Sequence, residues 1–159
     1  MKPLILLLLV FAVSLTINRW ASGTWNFLFA GNLAMFLMLC FTAIGHFKFI
    51  EGMTMMIPEF LPFKKEIVYL TGIMEVLLGL GLMFPRFRAT SAIILVLMFV
   101  LMLPANINAA IRHIDYEKAN FEGSGIGYLW FRVPLQVFFI AWLWFFSIRN
   151  WPEQWSGAS

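Results

Sequence analysis

Charge is what this chain has least of. Only 12% of its 159 residues are Asp, Glu, Lys or Arg, against about 25% in a typical soluble domain. Cysteine is nearly absent too. Cys40 stands alone, which excludes an intramolecular disulfide, a C-x-x-C redox pair and a thiolate-rich zinc or iron–sulfur site within the chain. The sequence has no G-x-S-x-G nucleophile turn, no G-x-x-x-x-G-K phosphate loop and no paired metal-ligand motif, so a soluble-enzyme reading fails. A formal net charge of +3 is scattered over several loops. The basic stripe that a nucleic-acid backbone requires is therefore missing, and nucleic acid is not an expected partner.

Apolar surface is abundant instead. Hydrophobic residues make up 62% of the chain, with 18 Phe and 7 Trp, more than a core in water needs. The expectation is an all-α integral membrane protein with the lipid bilayer as its solvent. Five apolar stretches appear: Pro3–Ile17, Phe27–Phe49, Ile67–Phe84, Ala89–Ile107 and Tyr128–Ile148. About 20 residues of helix cross the hydrocarbon core; the last four stretches meet that length and the first is short. The first reads as a retained helix, with a signal peptide as the alternative. Three parts follow: residues 1–26 as an N-terminal transmembrane helix and connector, 27–150 as a four-helix membrane domain, and 151–159 as a tail.

Hairpin logic sets relative sides. Side A is the membrane face that holds the loop between residues 48 and 66. The 108–127 loop, which ends in the "GSGIG" connector, falls on side A as well, and so does the N-terminus if the first helix spans. The "FPRFR" turn at 84–88 falls on side B. Seven Lys and Arg residues lie on side A and four on side B, a bias that places side A in the cytoplasm by the positive-inside rule. Several Trp residues, Trp20, Trp151 and Trp155 among them, suit the interfaces. The segment at 49–57 reads equally as an interfacial helix and as a loop.

Glu75 is the residue that asks for an explanation. It sits inside "YLTGIMEVLLGLGL", where insertion scales charge an acidic residue about 2.5–3.5 kcal/mol at a helix centre. Thr71, Gly72 and Gly79 lie three or four residues from it, so the four share one small, polar helix face. That face is expected to look into the bundle, since small residues let a neighbouring helix approach. His46, Asn106, Arg132 and Gln136 fall in the same half of the membrane, and no comparable residue is expected near side B. The reading is a polar pocket opening toward side A, with His46, Thr71, Glu75, Asn106, Arg132 and Gln136 as candidate ligand-binding residues and no metal. Arg132 can alternatively snorkel to the surface, and Asn106 and Gln136 can simply bridge helices.

Several segments carry a family resemblance: "AIGHFKFIEGMTMMIPEFLP", "VYLTGIMEVLLGLGLMFP", "LPANINAAI" and "WFRVPLQVFFIAWLW". Their order and spacing over residues 33–146 resemble the DoxX family of small bacterial membrane proteins. The motifs are Gly45–His46–Phe47, the prolines Pro58 and Pro62, Thr71–Glu75, Pro104–Ile107 and Arg132–Gln136. The resemblance implies a four-helix core, here with one extra N-terminal helix, in a bacterial inner membrane. It also implies a link to a quinol-oxidising or thiol-stress system. The functional expectation is a subunit or partner of a membrane redox system that binds a quinone or another lipid-soluble molecule, alongside a membrane or peripheral redox protein. The sequence shows no cofactor motif of its own, and a homo-oligomer is compatible with it. The alternative is a non-catalytic assembly or anchoring partner whose polar cluster is structural.

Overall fold

The computed structural model describes residues 2–149. The 151–159 tail, with Trp151 and Trp155, lies outside the described residues. Six helices follow one another: α1 (Lys2–Ser22), α2 (Phe27–Lys48), α3 (Ile50–Met56), α4 (Lys64–Gly81), α5 (Pro85–Ile111) and α6 (Ile126–Leu143). α6 continues as a π-helical turn over Trp144–Ile148. Among the described residues no strand forms; Asp115 and Asn120 make an isolated antiparallel bridge.

Local chemistry sets the helix starts. Asn26 caps α2 by accepting the Phe29 N–H at 3.0 Å, which satisfies one of the orphan donors of the first turn. Pro85 opens α5, where its missing N–H costs nothing. Gly125 precedes α6 at φ 59° and ψ −137°, a conformation that essentially only glycine adopts.

Four helices are long and apolar enough to cross a membrane: α1, α2, α5 and the segment from Leu129 to Ile148. They mark the chain as an integral membrane protein. This differs from the sequence reading at two places. The first stretch was short on paper, but α1 extends to Ser22 and meets the length. The third does not qualify, because α4 begins on Lys64, Lys65 and Glu66 and carries Glu75.

The helices assemble around one apolar core in which Leu7, Leu39, Leu82, Leu95 and Leu143 are fully buried. α1 is part of this core rather than an appendage: Leu7 is completely covered, and Phe11 packs edge-on against Trp142 at 5.0 Å. Lipid tails are as apolar as leucine, so contact between helices here rests on close packing. α2 and α4 run antiparallel. A Cβ on Gly72 would lie 2.9 Å from His46 Cβ, and one on Gly79 would lie 3.0 Å from the Phe36 ring. These two glycines let the backbones approach.

A smaller cluster closes the side A end. Met56 of α3 packs on Ala109 and Ile114, and the Asn108 amide donates to the Met56 carbonyl at 2.8 Å. Gly52 passes so close to the Tyr116 backbone that a side chain has no room. The 49–57 segment is therefore a short helix held against the 112–125 loop. Lys2 reaches Glu117 of that loop at 3.6 Å, which puts the start of α1 on the same face.

Candidate functional site

The buried face of α4 consists of Val68, Gly72, Glu75 and Gly79, spaced four, three and four apart as one helix stripe requires. Glu75 is 3% exposed and His46, on α2, is 6% exposed. Gly72 leaves room for the imidazole beside it. His46 Nε2 stands 3.5 Å from Glu75 Oε1. On the far side of the carboxylate, the Thr42 hydroxyl donates to Oε2 at 2.8 Å.

The second ring nitrogen decides the protonation logic. His46 Nδ1 lies 3.1 Å from the Val68 carbonyl oxygen. A carbonyl only accepts, so Nδ1 carries a hydrogen. The Thr71 hydroxyl is 3.2 Å from the same nitrogen and gives its own proton to Ile67 or Val68, at 2.9 and 3.0 Å. With Nδ1 protonated, the Nε2–Oε1 contact is attractive only when one proton lies between the two groups. Either an imidazolium faces a carboxylate, or a neutral imidazole accepts from a carboxylic acid. Thr42, His46, Thr71, Glu75 and the Val68 carbonyl thus form one connected polar unit inside the bundle.

The other candidates are placed differently. Arg132, at half burial, sets its guanidinium 5.8 Å from the Tyr116 ring centre. The Gln136 amide donates to the Phe99 carbonyl, next to the Val100 carbonyl that Pro104 leaves without its helical donor. Gln136 is therefore a bridge between α6 and α5. Asn106 is half-buried and makes no side-chain hydrogen bond among the described residues; its neighbour Asn108 makes the interhelical bond instead. Thr42 was not among the candidates, although it stands one turn before His46 on the same face.

The expectation of no polar residue near side B is corrected. Ser147 donates to Asn32 Oδ1 at 2.6 Å, and the Asn32 amide donates to the Leu28 and Phe146 carbonyls at 2.8 and 3.2 Å. Trp142 Nε1 donates to the Gly31 carbonyl at 3.0 Å. A Cβ on Gly31 would sit 2.4 Å from the Phe146 ring. This second cluster locks the start of α2 to the π turn, and such turns need their freed carbonyls satisfied by outside donors. Among the described residues, no group of three or more His, Cys, Asp or Glu gathers as a metal site would require.

The family described as a domain of unknown function, DUF8561, matches residues 33–147. The chain belongs to that family. The DUF8561 match opens inside α2, one residue past Asn32, and closes at Ser147. It contains the whole His46–Glu75 unit and leaves out α1. No curated protein and no solved structure matches the chain.

Proposed function

We propose that this DUF8561 protein is a five-span DoxX-like subunit or partner of a membrane redox system, seated in a bacterial inner membrane. In this reading it binds a quinone or a similar lipid-soluble carbonyl compound at the His46–Glu75 pair, and α4 is the span that brings Glu75 to the ligand. The observation that carries it is the buried His46–Glu75 pair, 3.5 Å apart, with the other ring nitrogen 3.1 Å from the Val68 carbonyl. Reduction of a quinone carbonyl consumes a proton for each electron, and a group that holds one at the right depth can deliver it. Electrons come from a partner protein.

The test is extraction. Wild-type protein purified from a quinone-rich host should release quinone into organic solvent in near-stoichiometric amount, and Glu75→Gln should release far less at equal folded yield. Wild-type protein free of quinone from such a host would sink the reading.

A second reading has its own support. Each of Nδ1, Nε2, Oε1 and Oε2 has a protein partner, as a purely structural cluster needs. On that reading the chain is an assembly partner, and Glu75→Gln lowers folded yield without a separable loss of binding.

A further inference from the structure

We infer that the turn between α4 and α5 binds a phosphate group, presented by an anionic lipid headgroup at the side B boundary, on Arg88 and Ser91. Arg88 is 6% exposed. Its Nε donates to the Leu82 carbonyl at 2.9 Å, at the end of α4. The four remaining N–H groups of the guanidinium have no acceptor among the described residues. A buried guanidinium with one bond out of five is costly unless another acceptor arrives.

Ser91 stands three residues on, over the same helix end. It is also 6% exposed, and its hydroxyl makes no hydrogen bond among the described residues. A Cβ on Gly81 would meet the Ser91 oxygen at 2.1 Å, so the glycine is what lets that hydroxyl sit against α4. Both polar groups therefore converge on residues 81–82.

The acceptor cannot be a side-chain carboxylate of the described residues. Their Asp and Glu residues lie on the side A loops, on α3 and on α4. Among the described residues, side B carries Arg19, Arg86, Arg88 and Arg149 and no acid. Arginine matches a phosphate in a bidentate manner, and Arg88 lies in the first turn of α5, a helix long and apolar enough to span. Arg86, exposed on the same turn, adds attraction for an anionic headgroup.

The experiment titrates the purified full chain in neutral detergent with phosphatidylglycerol in one arm and inorganic phosphate in the other, following the melting temperature. Phosphatidylglycerol should raise it saturably. Half-saturation should move up about tenfold in Arg88→Gln, whose amide keeps the Leu82 bond but loses the charged fork, and about threefold in Ser91→Ala. Native mass spectrometry of wild-type protein should show retained anionic phospholipid, a readout that survives if Arg88→Gln does not fold. No shift with phosphatidylglycerol, or the same half-saturation in Ser91→Ala as in wild type, overturns the proposal. A shift with inorganic phosphate and none with the lipid overturns the headgroup assignment.

Discussion

His46 Nε2 stands 3.5 Å from Glu75 Oε1, and the other ring nitrogen is committed to the Val68 carbonyl at 3.1 Å. The second fact governs the first. Because Val68 fixes the hydrogen at Nδ1, the proton count of the pair is read from Nε2 and Glu75 alone.

Nitrogen-15 NMR of the His46 ring should therefore show Nδ1 protonated in both the neutral and the cationic form. The Nε2 signal should change with pH, and Glu75→Gln should remove that change or displace it widely. A neutral ring protonated at Nε2 would contradict the assignment.

Substitutions at Glu75 should separate packing from binding. Glutamine still accepts from Thr42 and donates to Nε2, so Glu75→Gln should melt within about 1 kcal/mol of wild type. Glu75→Leu leaves Nε2 without a partner and should cost about 1–3 kcal/mol. Denaturation in detergent, followed by helical circular dichroism, reads both.

The α2–α4 approach predicts a contrast between two glycines. Gly72→Ala pushes a methyl group to 2.9 Å from His46 Cβ and should cost about 1–3 kcal/mol, the usual range for overpacking. Gly127→Ala meets nothing within 4 Å and should be close to neutral. Equal melting temperatures for the two variants would refute the close packing.

At side B, Asn32 and Ser147 should be energetically coupled. A double-mutant cycle with alanine at each position should give a coupling of about 0.6 kcal/mol, the average for hydrogen bonds between membrane helices, and at most about 1.7 kcal/mol. Additive effects would mean that the bond contributes nothing.

How much of this was legible beforehand depends on spacing along one helix. The buried stripe of α4 was readable because Gly72, Glu75 and Gly79 repeat at helical intervals and Glu75 has no reason to face lipid. The Asn32–Ser147 bond was not, because its partners are 115 residues apart and each is a lone small polar group in an apolar run. The Asn108–Met56 bond was hidden for a geometric reason: two residues turn the helix by about 200°, and only the position of α3 decides whether Asn106 or Asn108 meets it. The burial of Leu7 was equally hidden, since an all-apolar helix looks the same facing lipid or protein.

The most direct measurement is equilibrium binding of a short-chain quinone to purified protein, read by quenching of tryptophan fluorescence, in wild type and in Glu75→Gln with matched melting temperatures. Saturable quenching in wild type with affinity at least about tenfold weaker in the variant, a loss of about 1.4 kcal/mol, is the predicted result. Identical curves for the two proteins, or no saturable binding to wild type, would contradict a ligand site at the His46–Glu75 pair.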